Sequence, residues 1–107
     1  MGANVYGLAL QPDTEPNHWT LLNLDIQQKL TDIRDYQTLS KVISDWQPDM
    51  VFHLAAQPIV RLSYSEPVET WSTNVMGTVN LLEACRHVPS IKAIVVITSD
   101  KCYENHE

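Results

Sequence analysis

The chain reads as an α/β protein whose parallel, doubly wound sheet carries helices on both faces. Two short apolar runs, Met50–Ala56 and Ala93–Ile97, each end in polar residues, which is the pattern of buried strands. Two longer segments, Asp35–Trp46 and Val68–Arg86, repeat their apolar residues at helical spacing. Strands that alternate with helices imply parallel pairing through right-handed crossovers.

The elements follow in order. Asn4–Leu10 is a short strand, because Val5, Tyr6, Leu8 and Leu10 are interrupted only by Gly7 and Ala9. A loop follows over Gln11–His18, where Pro12, Asp13, Pro16 and Asn17 fix φ or bond their own backbone. Trp19–Leu24 reads as a helical turn. Lys29–Ile33 reads as a brief strand closing on the charged turn Asp32, Ile33, Arg34, Asp35.

Asp35 is the expected N-cap of the first helix, whose apolar stripe is Leu39, Val42, Ile43 and Trp46. It stops at Gln47, since the Pro48 ring disfavours the α conformation of the residue before it. A buried strand over Met50–Ala56 comes next. Val68–Arg86 is the longest helix, with Val68, Trp71, Val75, Val79, Leu82 and Cys85 on one side. Pro67 suits the first helical turn, and His87 with Pro89 supplies the stop.

Length and composition narrow the class of function. With 107 residues, the chain is expected to form one domain over 1–107. Its 13 acidic residues outweigh 7 basic ones that are scattered singly, so no basic patch exists for nucleic acid. Counterion release from phosphates needs clustered Lys and Arg. Cys85 and Cys102 lack metal or redox spacing and read as reduced thiols, which fits a cytoplasmic protein. No signal peptide is evident, and no run approaches the ~18 apolar residues of a membrane span. His18, His53, His87 and His106 lack ligand spacing, so no metal is expected.

In open α/β sheets, ligands sit beyond the carboxyl ends of strands. The hydroxyl, carboxylate and ammonium of Ser99, Asp100 and Lys101 follow the last strand and are candidates for catalysis.

The run HLAAQPIVRLSYSEPVETWSTNVMGTVNLLEA, followed by ITSDKCY, closely resembles the extended short-chain dehydrogenase/reductase family of nucleotide-sugar enzymes. The shared motifs are DIRD at Asp32–Asp35, HLAA at His53–Ala56 and TNVMGT at Thr73–Thr78. Within that family, QPIVRLSYSEP and SDKCY are similar to the 4,6-dehydratases that act on CDP-glucose. Enzymes acting on dTDP-glucose resemble STDEVY at the latter place. The alternatives are a dTDP-glucose dehydratase, a UDP-sugar epimerase, or a truncated chain with no catalysis.

The resemblance implies a set of roles. Asp32 and Ile33 match the adenine contact of an NAD cofactor. Leu54, Ala55, Ala56 and Gln57 match the strand end along which ribose and nicotinamide lie, where small side chains allow close approach and burial is expected. Thr73 matches a position near the cofactor, and Asn74 one that braces the active-site backbone. Ser99 corresponds to the hydroxyl that holds the sugar 4-OH, and Asp100 to the acid that protonates the departing 6-OH. Lys101 stands where the dTDP-type enzymes resemble a Glu base, so the C5 base has more than one candidate. Ala9 occupies a place where an acidic residue often marks NAD over NADP. His53 reads as a structural histidine.

The implied reaction moves hydride from C4 to NAD, eliminates water across C5 and C6, and returns the hydride to C6. Family members also carry a GxxGxxG loop and a YxxxK helix. Gly2, Gly7 and Gly77 cannot form the loop, and Tyr103 is followed four residues later by Glu107. The expectation is therefore a partial Rossmann domain whose first βα unit is missing, with two exposed strand edges, poor stability and little activity alone. A complementing chain would pair with those edges by β-augmentation, and the full-length enzyme is expected to be a homo-oligomer.

Overall fold

The computed structural model describes residues 4–10 and 27–99. Strand β1 (Tyr6–Ala9) pairs in parallel with β2 (Gln27–Leu30), Tyr6 opposite Gln27 and Ala9 opposite Leu30. Strand β3 (Met50–His53) pairs in parallel with β4 (Ala93–Val96), Met50 opposite Ala93 and His53 opposite Val96. Helix α1 (Tyr36–Trp46) precedes β3, and α2 (Val60–Ser65), α3 (Pro67–Trp71), a π turn (Ser72–Met76) and α4 (Gly77–Arg86) connect β3 to β4. This is the α/β architecture the alternation predicts. Among the described residues the sheet consists of two pairs, β1–β2 and β3–β4. The loop expected at Gln11–His18 and the turn at Trp19–Leu24 lie outside the described residues.

Helix α1 begins where expected because the Asp35 carboxylate accepts from Thr38 N at 3.3 Å and Thr38 Oγ1 at 2.7 Å. An N-cap of this kind contributes about 1 kcal/mol. The helix ends at Gln47, which turns left-handed (φ 49°) ahead of Pro48 while its N–H still reaches Ile43 O. Its buried face is Leu39, Val42 and Ile43.

That face meets α4. Leu39 and Ile43 pack with Leu81, Ala84, Cys85 and Val88, and the sheet contributes Leu8, Val51 and Ile94 to the same cluster. Burial pushes the Cys85 thiol pKa upward, which leaves it a core residue in chemical terms.

Three sequence expectations need correction. The strand expected at Lys29–Ile33 is Gln27–Leu30, because Asp32 Oδ1 accepts from Arg34 N at 2.9 Å and bends the chain after Thr31 N has bonded Ala9 O. The run Met50–Ala56 is a shorter strand, and its Phe52 is 60% exposed, since α1 and α4 pack on the face that carries Val51 and Ile94. Of the stripe expected on the long helix, Cys85 is buried, while most of the rest faces outward.

Val68 is 81% and Trp71 64% exposed, and Val79 and Leu82 are exposed as well. The buried residues are Gly77, Leu81, Ala84 and Cys85. The helix is apolar on two sides, and packing selects the side with small residues because it allows closer approach. A Cβ built on Gly77 would lie 2.6 Å from Ile33 Cγ2, so only glycine fits that contact. Helix α2 is an element that periodicity did not predict; its Ser63 and Ser65 hydroxyls bond back to Val60 O and Leu62 O.

Candidate functional site

Parallel register brings the exits of β3 and β4 side by side. Ile97 N donates to His53 O at 3.1 Å, one step past the paired strands. Leu54–Gln57 and Thr98–Ser99 therefore leave the sheet at one edge. The helical stretch from Pro67 to Arg86 runs beside this edge and touches both it and the turn after β2.

The turn after β2 is organised by charge. Arg34 donates to both Asp32 oxygens, from Nε at 3.0 and 3.1 Å and from Nη2 at 2.6 Å, and its Nη1 reaches Glu69 at 2.6 Å. The Arg34 guanidinium holds the Asp32 carboxyl below the usual carboxylate range, and the two carboxylates push the Arg34 pKa upward. Asp32 is thus a fixed anion, with its side chain 29% exposed. Asn80 Nδ2 donates to Ile33 O and Arg34 O at 3.2 Å, which anchors the turn to α4. The Ile33 side chain packs toward Gly77, which leaves its backbone as the part of the residue free of that contact.

The β3 exit is held by amides. Asn74 Oδ1 accepts from Gln57 N at 2.7 Å while Asn74 Nδ2 donates to Gln57 O at 3.1 Å, so one side chain pairs with both backbone groups of Gln57. The Gln57 side chain donates to Thr70 Oγ1 and Ile59 O and accepts from Ile59 N. His53 is buried, and its Nε2 lies 2.8 Å from Thr78 Oγ1. Removal from water lowers its pKa, because the charged imidazolium is the form that burial penalises.

Asp32 and Ile33 form the turn after β2, and Leu54, Ala55, Ala56 and Gln57 form the β3 exit. Leu54 is 69% exposed, and Ala55 and Ala56 are exposed too, which corrects the expectation of burial: only His53 and Gln57, at the two ends, turn toward the helix. Thr73 is half-buried within the π turn. Ser99 is exposed beyond β4, and Asp100 and Lys101 lie outside the described residues.

Sequence reasoning missed Arg34, Glu69, Thr70, Thr78 and Asn80. Thr70, Asn74 and Thr78 recur every fourth residue as a polar row, and that spacing was the available signal.

Leu54, Ala55 and Ala56 form an exposed ledge of small and apolar side chains at the β3 exit, and Asp32 is a fixed carboxylate in the turn after β2. Thr31 adds a buried hydroxyl with no hydrogen-bond partner among the described residues, directly before Asp32. Arg34 already occupies both Asp32 oxygens, so an amine contact there requires one guanidinium bond to be exchanged. No group of three or more His, Cys, Asp or Glu is placed to hold a metal among the described residues. No described helix is long and apolar enough to cross a membrane.

Comparison with known proteins gives consistent matches. The sequence is 52% identical to a CDP-glucose 4,6-dehydratase of Salmonella typhimurium over 109 aligned residues, which cover 100% of this chain and 30% of the relative. A crystal structure of UDP-glucose 4-epimerase with UDP-glucose from Thermotoga maritima superposes with a TM-score of 0.75 at 27% identity, covering 89% of this chain and 29% of that one. A Thermus thermophilus UDP-glucose 4-epimerase in complex with NAD gives a TM-score of 0.59 at 34% identity, over 64% of this chain and 22% of that one. The chain therefore spans less than a third of the length of each relative. The family described as GDP-mannose 4,6 dehydratase matches residues 4–106. With its parallel α/β fold and the polar exits of its strands, this chain belongs to that family of nucleotide-sugar dehydratases and epimerases.

Proposed function

We propose that this chain is part of a nucleotide-sugar 4,6-dehydratase that converts CDP-glucose to its 4-keto-6-deoxy product with bound NAD. The observation that carries the reading is the exposed Leu54–Ala56 ledge, which leaves the sheet beside Ser99, in a chain 52% identical over its whole length to a CDP-glucose 4,6-dehydratase. NAD would supply the acceptor and donor of the hydride exchanged with the sugar.

This chain's own residues do the rest. The Asp32 carboxylate accepts the adenine amine, and the Ile33 backbone reaches the ring. Leu54, Ala55, Ala56 and Gln57 give the ribose and nicotinamide a flat, close surface, with Thr73 beside it. Ser99 orients the sugar 4-OH, Asp100 gives its proton to the departing 6-OH, and Lys101 is the candidate base at C5 once it has lost its own proton. A cytoplasmic, homo-oligomeric enzyme is the reading that accompanies this one.

The test is a titration of the isotopically labelled chain with NAD and then CDP-glucose, followed by amide chemical shifts. Shifts at Asp32, Ile33 and Leu54–Gln57 on adding NAD, and at Ser99 on adding sugar nucleotide, are expected. Shifts absent there would overturn the reading, and a response to UDP-glucose in place of CDP-glucose would favour an epimerase.

A further inference from the structure

Leu54–Ala56 is exposed, yet the residues that bracket it are both tied to one stretch of helix. At one end, His53 is 4% exposed and bonded through Nε2 to Thr78 Oγ1. At the other, Gln57 pairs through both backbone groups with Asn74. Asn74 and Thr78 are four residues apart and so share a helix face. They are also joined, because Thr78 Oγ1 donates to Asn74 O at 2.9 Å.

Proton counting sets the direction of this network. A hydroxyl has one proton to give. Thr78 gives it to Asn74 O, so His53 must be the donor in its bond to Thr78, which assigns the neutral imidazole as the Nε2–H tautomer. Thr70 likewise gives its proton to Glu66 O and accepts from Gln57 Nε2. The bonds from His53 through Thr78, Asn74 and Gln57 to Thr70 thus run in one consistent set of directions.

Asn74 lies within the π turn. Gly77 N–H bonds Ser72 O, five residues back, which widens the helix at Ser72–Met76. The Thr78 hydroxyl bonds the Asn74 carbonyl inside that widened turn. Without it, the turn loses the side-chain bond that holds Asn74 in register.

We propose that His53 and Thr78 are positioning residues which, together with Asn74, pin both ends of the Leu54–Ala56 ledge and hold its backbone in one conformation. This rests on the ledge being the cofactor surface proposed above, and it names residues for that surface which do not touch the ligand. A ledge ordered in advance avoids the cost of ordering it on binding.

The test uses the labelled full chain and three variants: Thr78→Val, which keeps the shape and loses the hydroxyl; Thr78→Ser, which restores the hydroxyl; and Asn74→Asp, which keeps only the acceptor toward Gln57 N. Amide hydrogen exchange is read at Gln57 and, as the internal control for global stability, at Leu39, Val42 and Ile43 in α1. In Thr78→Val, exchange at Gln57 is expected to rise at least tenfold with the α1 amides unchanged. The His53 ring 15N shifts should also leave the Nε2–H pattern. Thr78→Ser should restore both, and Asn74→Asp should fall between. Unchanged Gln57 exchange in Thr78→Val, or an equal rise at Gln57 and α1, would overturn the pin. NAD affinity is measured separately, on the parent chain. Its absence would overturn the cofactor reading, while the exchange data alone decide the pin.

Discussion

Gly77–Arg86 buries Leu81, Ala84 and Cys85 against α1, whereas Pro67–Met76, the preceding part of the same helical stretch, has no fully buried side chain. The first part is held by apolar packing. The second is held by hydrogen bonds and charge: Glu69 to Arg34, Thr70 and Asn74 to Gln57. Packing there would cover the strand exits, and hydrogen bonds leave them open. The division teaches that one helical stretch can be held by packing at its C-terminal half and border the strand exits through hydrogen bonds at its N-terminal half. The π turn sits at the junction.

The comparison is broken most severely at Leu39, which is 2% exposed and central to the packed half. Leu39→Ala is expected to cost about 2 to 5 kcal/mol, from lost transfer energy and the cavity left behind. A urea titration reads this as a fall in midpoint. A change below about 1 kcal/mol would mean that the α1–α4 layer is not the main source of stability.

Gly77→Ala attacks the junction itself. Alanine gains roughly 1 kcal/mol of helix propensity, but its Cβ meets Ile33 Cγ2 at 2.6 Å. Ile33 is β-branched and stiff, and overpacking of this kind costs about 1 to 3 kcal/mol, so a net loss is expected. The double variant with Ile33→Val keeps the Cγ2 contact and should recover little, whereas Ile33→Ala with Gly77→Ala should recover most of the Gly77→Ala effect.

Asp35→Ala removes the N-cap of α1 and should lower the midpoint by about 1 kcal/mol without altering exchange at Gln57. Spread of the effect to Gln57 would mean that the packed and hydrogen-bonded halves are coupled.

The smallest expected effect is that of pH. Burial lowers the His53 pKa below the 6.5 of an exposed imidazole. Between the two values the unfolded chain binds the extra proton, so the contribution is full above about pH 6.5 and declines as the pH falls toward the folded-state pKa. The urea midpoint should therefore drop between about pH 7.5 and pH 5.5. His53→Gln should remove that part of the drop.

Much of the scaffold was legible in the residues. Asp35 as cap, Pro48 as stop, Pro67 as helix start and the Leu39, Val42, Ile43 stripe are local signals, and the structure follows them. The long helix was read correctly at Cys85 and misjudged elsewhere, because Val68, Trp71, Val79 and Leu82 make as good an apolar stripe as Leu81 and Ala84. Periodicity reports that a face is apolar and cannot report which face finds a partner. At the site, Asp32 and Asn74 stood out by residue type and motif, but their partners Arg34 and Gln57 did not. The Asn74–Gln57 pair joins residues 17 apart, and Arg34–Glu69 joins residues 35 apart.

The sequence by itself determined the α/β class, the alternation of strands with the two long helical segments and the cap and stops that bound them, because each depends on neighbours within a turn or two of the chain. The tertiary structure alone decided which stripe of the long helix is buried, that Leu54–Ala56 is exposed between two hydrogen-bonded ends, and that Asn74 in the π turn pairs with Gln57. Those outcomes depend on close approach between distant segments, which small side chains such as Gly77 permit and no local pattern encodes.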